Sequence, residues 1–300
     1  MHLKLLSALL ATSLSAAPAL AQELTGTLKK IKDTGAISLG HRESSVPFSY
    51  YDDRQQVVGY AMDLCARIVD RVKSELKLDK LETKLNPVTS AARIPLMANG
   101  TIDLECGSST NNLERQKQVA FTITHFVTAN RFVSKKSANL KTVDDLKGKT
   151  VVSTSGTTNI KQITEIGAQK GLNLNILAAK DHAEAFLMVE TGRAAAFVMD
   201  DILLFSLVAA SKAPKDYAIS SDALSVEPYG IMLRRDDPSF KKVVDEAMIA
   251  TYKSGAINPI YEKWFLKPIP PKGINLNVPV SDAFKKVIAS PTDSGDPAVY

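Results

Sequence analysis

The 300-residue sequence predicts an α/β protein with two lobes, each built on a mostly parallel sheet. Segments with a strand pattern alternate with segments whose apolar residues lie on one helical stripe, which is typical of parallel sheets flanked by helices. A second alternating set follows the first, and the chain then returns to complete the first lobe. Hydroxyl and arginine side chains cluster at strand ends, where open α/β sheets hold their ligands.

The first set of elements builds one predicted sheet. A buried strand is expected at 36–40, an amphipathic helix at 62–72, and further strands at 81–85 and 102–106. The strand at 102–106 ends just before Ser108 and Thr110. Two hydroxyl groups are thus expected at the carboxyl end of this sheet.

The second set begins after residue 128 and has the same alternation. It comprises a short helix at 143–148 closed by glycine, strands at 150–153, 174–177 and 194–199, and helices at 159–169, 183–190 and 202–210. A returning strand at 229–233 and helices at 238–254 and 257–265 then complete the first lobe. The proline-rich stretch at 268–271 ends the compact region.

These patterns divide the chain into four parts. The predicted parts are a signal peptide at 1–21, a first lobe at 22–127 plus 227–278, a second lobe at 128–226, and a C-terminal tail at 279–300. The sequence does not fix how the tail packs.

The N-terminal segment has the pattern of a secretory signal peptide. A basic start with Lys4 precedes an apolar run at 5–14, and small residues follow at Ala19 and Ala21. The run is too short to span a bilayer, and no later stretch reaches the roughly 20 apolar residues that a membrane helix needs. We therefore expect an exported, soluble chain that starts near Gln22.

Composition narrows the class of ligand. The net charge is +5, but the lysines are dispersed and no arginine-rich block with interleaved aromatic residues occurs, which argues against nucleic acid. A small acidic ligand is a simpler partner for this charge. The only cysteines are Cys65 and Cys106, without the spacing of a zinc site, so neither a metal nor a cofactor is expected. Whether these two cysteines form a disulfide remains open, because sequence does not give their distance.

Arginine and hydroxyl residues recur ahead of predicted helices. They occur at 41–45, 89–93, 107–115 and 155–158. A helix N-terminus presents unpaired N–H groups and the positive end of the helix dipole, and arginine adds two parallel hydrogen bonds to a carboxylate. The pattern therefore suits a small anion with several carboxylates.

Several motifs together resemble the periplasmic glutamate/aspartate-binding proteins of ABC importers. They are GHRESSVPFSYY at 40–51, ECGSSTNN at 105–112, ERQK at 114–117, SGTT at 155–158, AKDH at 179–182, MDD at 199–201, KWF at 263–265 and PIPP at 268–271. The resemblance covers essentially the whole mature chain. It implies a two-lobed, type II periplasmic binding protein whose lobes are joined by two crossing strands, near 126–131 and 224–229, and close over the ligand.

The resemblance also assigns the polar residues to three parts of an amino-acid ligand. It gives the α-carboxylate to Arg115, Ser108, Thr110, Thr157 and Thr158, the side-chain carboxylate to Arg42, Ser90, Arg93 and His182, and the ammonium group to Asp200. Asp201 would then point elsewhere, for example as a cap of the following helix. No catalytic residue is assigned.

The implied partners are glutamate or aspartate and an inner-membrane ABC permease, with the protein acting as a monomer. Two alternatives use the same scaffold. An enzyme such as a periplasmic dehydratase would need a general acid near the ligand, for which Glu43 and Asp181 are the candidates. A chemosensory receptor would use the same binding chemistry, and the preference between glutamate and aspartate stays open.

Overall fold

The computed structural model describes residues 24–300, so the predicted signal peptide lies outside the described residues. The first elements are α1 (Gly26–Thr34), β1 (Ala36–His41), β2 (Ser44–Ser45), β3 (Ser49–Tyr51), β4 (Val57–Val58), α2 (Tyr60–Glu75), β5 (Glu82–Pro87), α3 (Arg93–Ala98), β6 (Leu104–Cys106) and β7 (Val119–Phe121). Next come β8 (Phe126–Lys135), β9 (Thr150–Thr154), α4 (Thr158–Gln169), β10 (Asn175–Ala179), α5 (His182–Glu190), β11 (Ala196–Asp200), α6 (Asp201–Ala210), β12 (Tyr217–Ile219) and β13 (Ser225–Tyr229). The chain closes with β14 (Met232–Arg234), α7 (Pro238–Lys253), α8 (Ile257–Phe265) and α9 (Asp282–Ala289).

Two large sheets form the centres of two lobes. The sheet of the first lobe has the order β5-β1-β6-β14-β7, and that of the second lobe has the order β10-β9-β11-β8-β12, with β13 paired to β8. Strand β1 is parallel to β5 and β6, and β9 is parallel to β10 and β11. Strands β14 and β8 run antiparallel to their neighbours, so each sheet is mixed and the expectation of mostly parallel sheets is wrong.

Helix α2 shows why the spacing of apolar residues predicts a helix. Its apolar residues Leu64, Cys65, Ile68 and Val72 recur at helical spacing and are all fully buried. Such a stripe forms one face of a helix, and packing that face removes it from water. The predicted helix at 62–72 thus lies within α2.

The two crossing segments lie side by side. Strands β8 and β13 pair in antiparallel register from Phe126 opposite Tyr229 to Asn130 opposite Ser225. The returning strand predicted at 229–233 is wrong as a single element, because the chain leaves β13 at Tyr229 and enters the other sheet at Met232. Gly230 lies at this change, where a Cβ would be 3.0 Å from the Cβ of Phe121, so a larger residue would require Phe121 to shift.

The two cysteines are bonded. Cys65 of α2 and Cys106 of β6 form a disulfide with a Cα–Cα distance of 6.2 Å. The bond joins a helix of the first lobe to the strand that precedes the predicted ligand loop.

The C-terminal tail packs onto the protein. Helix α9 buries Phe284 and Val287, and a short 3-10 turn at Pro297–Val299 follows. Within residues 24–300, no helix has the length and apolar character needed to cross a membrane.

Candidate functional site

A small cavity lies between the two lobes. Its space measures about 10 Å³, room for about one water molecule, so the lobes are closed tightly on each other. Its walls come from strand ends and helix starts of both lobes: Arg42, Ser90, Arg93, Ser108, Thr110, Thr157, Thr158, Asn159, His182, Met199, Asp200 and Leu203. Nine of the ten predicted site residues are in this set, and Arg115 is not.

The first lobe contributes two buried arginines. Arg42 follows β1 and donates from Nη2 to Ser90 Oγ at 2.7 Å, while Arg93 begins α3 and donates from Nη1 to Ser109 Oγ at 2.8 Å. Burial lowers the pKa of both guanidinium groups, and the charge of Arg93 lowers the pKa of Arg42 further. Two buried cations in the wall of one cavity are costly, and the negative charge of buried Glu105, which raises the pKa of both, offsets part of that cost.

Several polar atoms around the cavity have no hydrogen-bond partner among the described residues. They are Arg42 Nη1, Arg93 Nε, Ser108 Oγ and His182 Nε2. Because buried polar groups are normally hydrogen-bonded, four such atoms around one cavity indicate a polar ligand. All four belong to residues predicted for carboxylate binding.

His182 begins α5 in the second lobe. Its Nδ1 lies 2.8 Å from Thr154 Oγ1. Burial, followed by the charges of Arg42 and Arg93, holds the pKa of the imidazole well below its usual value. The ring is therefore neutral at neutral pH.

Arg115 lies beside the cavity lining. Its Nη1 donates to the Thr110 carbonyl at 2.8 Å, and its Nη2 donates to the Gly156 carbonyl of the second lobe at 3.3 Å. A guanidinium has five N–H groups, so these two bonds leave three for other acceptors. Arg115 thus connects the lobes, and its predicted contact with the α-carboxylate stays a prediction.

Asp200 ends β11 and supplies a buried carboxylate. It accepts hydrogen bonds from Asn159 Nδ2 at 2.7 Å and from the Tyr229 hydroxyl. Burial, followed by the negative charge of Glu227, raises the pKa of Asp200 to about 7. A cationic group beside this carboxylate would be favoured by the same electrostatics.

Asp201 points away from the cavity. Its carboxylate accepts hydrogen bonds from Thr128 Oγ1 and, at 3.1 Å, from Arg131 Nε, so it does not cap α6 as expected. Asp200 occupies the N-cap position of that helix, without a side-chain cap bond. The two aspartates therefore have different roles.

The threonines of the second lobe lie at the start of α4. Thr157 is the N-cap, its hydroxyl accepting from Ile160 N at 3.3 Å, and Thr158 Oγ1 donates to Glu227 at 3.0 Å. Both residues therefore lie at the positive end of a helix dipole.

Three further polar residues support the site and were not predicted. Asn159 and Tyr229 hold Asp200 from two sides. Glu105 is fully buried and accepts a hydrogen bond from Ser109, which itself accepts from Arg93. The signal for Glu105 in the sequence is an acidic residue inside a buried strand, because such a charge requires a partner.

Comparison with known proteins identifies the family. Residues 37–267 match the bacterial extracellular solute-binding proteins, family 3. The chain is 53% identical to the L-glutamate/L-aspartate-binding protein of Pseudomonas aeruginosa over 96% of both chains. It is 47% identical to the glutamate/aspartate import solute-binding protein of Escherichia coli K12, again over 96% of both.

A solved structure gives the same fold. The holo form of ArgBP from T. maritima superposes with a TM-score of 0.68 at 29% identity, and the match covers 79% of this chain and 98% of that one. The fold is that of the two-lobed periplasmic binding proteins, with the polar cavity between the lobes. The chain belongs to the bacterial extracellular solute-binding proteins, family 3.

Proposed function

We propose that this protein captures L-glutamate and L-aspartate in the periplasm and delivers them to an ABC transporter of the inner membrane. The relatives from Pseudomonas aeruginosa and Escherichia coli carry these ligands in their names. The observation in the structure that carries the proposal is the pair Arg42 and Arg93, buried in one wall of a cavity whose other wall holds Asp200.

The charges of the cavity match an acidic amino acid. Arg42 and Arg93, with Ser90 and His182, offer donors for the side-chain carboxylate. Asp200 offers an acceptor for the ammonium group. Ser108, Thr110, Thr157 and Thr158 line the same cavity, and Arg115 lies behind them with unused N–H groups, which supports their assignment to the α-carboxylate.

The chain is a binding protein and not an enzyme, as its close relatives are named binding or import proteins. One of the two carboxylates that the enzyme alternative could use has a structural role. Asp181 Oδ1 caps α5 by accepting from Glu184 N at 2.9 Å. This role orients the helix that begins with His182.

Calorimetric titration with glutamate, aspartate, glutamine and asparagine tests the proposed ligand. We expect the two acids to bind at least about 30-fold more tightly than their amides, because an amide brings no negative charge to the two buried arginines. Equal affinity for glutamate and glutamine would overturn the assignment of Arg42 and Arg93.

The proposal includes export and a division into lobes. The N-terminal residues 1–21 would be removed as a signal peptide, and the two lobes would comprise 22–127 plus 227–278 and 128–226. Mass spectrometry of the protein isolated from the periplasm is expected to show a chain that starts near Gln22, and sedimentation is expected to show a monomer. A full-length chain in the cytoplasm would contradict this part.

A further inference from the structure

After helix α9, the C-terminal segment runs back to the crossing strands. Phe284 anchors this helix. Phe284 of α9 packs against Phe126, Tyr252 and Tyr261 with ring centroids 6.0 to 6.3 Å apart. Residues 291–300 then form what we call the C-terminal strap. The anchor fixes where the strap begins.

The strap is bonded to the residues just before β8, the first crossing strand. The Thr124 amide donates to the Thr292 carbonyl at 2.8 Å, and the Thr124 hydroxyl lies 2.7 Å from the Tyr300 hydroxyl. Tyr300 also donates to the Ser294 carbonyl at 2.9 Å, so the last residue holds the strap in a bent path.

The strap also contacts the loop at 107–118, called here the anion loop, which carries Ser108, Thr110 and Arg115. The Asn111 side-chain amide donates to the Asp293 carbonyl at 2.8 Å, and the Gln116 amide donates to the same carbonyl at 2.9 Å. Asn111 is fully buried, and its backbone N–H donates to the Pro228 carbonyl of β13 at 2.7 Å. Asn111 thus connects the strap and the anion loop to β13, the second crossing strand.

The strap passes very close to the anion loop at Gly295. A Cβ on Gly295 would lie 2.7 Å from the carbonyl carbon of Asn112 and 2.8 Å from the amide nitrogen of Leu113. These are backbone atoms, which do not move aside as a flexible side chain would. Any larger residue at 295 therefore separates the strap from the anion loop.

We propose that the C-terminal strap is a positioning element of the ligand site, which holds the anion loop in its binding geometry. The inference rests on the proposed function, since the anion loop is assigned to the α-carboxylate. A loop without regular structure is mobile unless its backbone and side-chain polar groups are paired, and binding groups must be held in place to act together. Beside the bonds from β13, the strap supplies partners for Asn111 and Gln116 from a segment outside the family match.

The variant Gly295→Ala tests the strap, with Val299→Ala as a control, because Val299 lies on the same strap with its side chain 53% exposed. We expect Gly295→Ala to weaken glutamate binding about tenfold, since a displaced strap leaves the buried Asn111 amide unpaired. Hydrogen exchange of ligand-free protein should become faster at 107–118 and stay unchanged at 88–95. The control should match the wild-type protein in both measurements.

A second variant protects the test against a folding defect. Tyr300→Phe removes one hydroxyl without changing the packing volume, and we expect glutamate binding about threefold weaker with faster exchange in the anion loop. Affinity within experimental error of wild type in both variants, or unchanged exchange at 107–118, would overturn the proposal. If wild-type protein bound no glutamate, the proposed function would fail, while the exchange measurement would still decide whether the strap holds the loop.

Discussion

At the scale of single residues, the three buried arginines have different surroundings, so their replacement should have different effects on binding. Arg42 and Arg93 bond to serine hydroxyls, whereas Arg115 bonds to two backbone carbonyls, one in each lobe. Arg115 therefore serves both the assigned α-carboxylate and the contact between lobes. Arg93 is assigned to the side-chain carboxylate only.

We predict that Arg115→Ala abolishes binding of glutamate and aspartate, because every amino acid has an α-carboxylate. Arg93→Ala should instead reduce the preference for glutamate over glutamine, with a loss of glutamate affinity of about 2–5 kcal/mol. Calorimetry with both ligands on both variants distinguishes the two effects. Near-normal glutamate binding by Arg115→Ala would contradict the assignment of that residue.

Asp200 predicts a pH dependence. Its folded-state pKa of about 7 lies above the ordinary value, so its contribution to the stability of the ligand-free protein is present below about pH 4 and is lost as pH rises through 7. An ammonium ligand needs the ionised carboxylate. Glutamate affinity should therefore rise with pH up to about 7, by at most about tenfold per pH unit, and level off above it.

Titrations between pH 5.5 and 8 check this prediction. His182 does not contribute to the slope, because its pKa is held well below its usual value. In Asp200→Asn, affinity should be weaker at pH 8 and nearly independent of pH. A wild-type affinity that is flat over this range would show that Asp200 does not meet the ammonium group.

At the scale of elements, periodic segments were predictable and junctions were not. The helix predicted at 257–265 agrees with α8 because five of its residues, including Trp264, form one buried face. The returning strand was wrong because continuous apolar residues do not reveal a change of sheet at Gly230. Gly230 lies against Phe121, which is far away in sequence, so no local pattern indicates the crowding at this point.

Prediction of the candidate site from the sequence has the same limit. Residues in the motifs at strand ends, such as Ser108 and His182, line the cavity in the structure. Asn159 and Tyr229 were missed because their importance comes from a single tertiary partner, Asp200, which no local pattern specifies. The pairing of Cys65 and Cys106 has the same limit, since α2 and β6 meet only in the folded protein.

The disulfide gives a prediction about the stability of the first lobe. Cys65 and Cys106 are 41 residues apart, and closing a loop of that length lowers the entropy of the unfolded chain by an amount worth about 4 kcal/mol. Denaturant unfolding with and without a reducing agent should show a loss of this order in the free energy of unfolding. The double variant Cys65→Ser, Cys106→Ser should be insensitive to the reductant, and an equal effect of reductant on it would exclude the disulfide as the cause.

At the scale of the whole molecule, the cavity requires the lobes to move. The closed cleft has room for about one water molecule, so an amino acid can enter only when the lobes separate. Without an anion, Arg42 and Arg93 remain buried with an incomplete set of partners, which disfavours closure. A ligand that contacts both lobes supplies the missing partners and shifts the population toward the closed state.

Closure also depends on a close contact between the lobes. Gly156 of the second lobe lies against Ala91 of the first, and a Cβ at Gly156 would lie 2.5 Å from the Ala91 Cα. The backbone φ of +75° at Gly156 further favours glycine. The Gly156→Ala variant should therefore resist closure while leaving each lobe folded.

Small-angle scattering measures this motion. We predict a smaller radius of gyration when glutamate is added to ligand-free protein, because the ligand joins Arg42 and Arg93 of one lobe to Asp200 of the other. Asp200→Ala should lose the change, because the second lobe then lacks the carboxylate assigned to the ammonium group. Gly156→Ala should show a smaller change with weaker binding. An unchanged radius in wild-type protein that binds glutamate would mean that the cleft is already closed before binding, or that the ligand contacts one lobe alone.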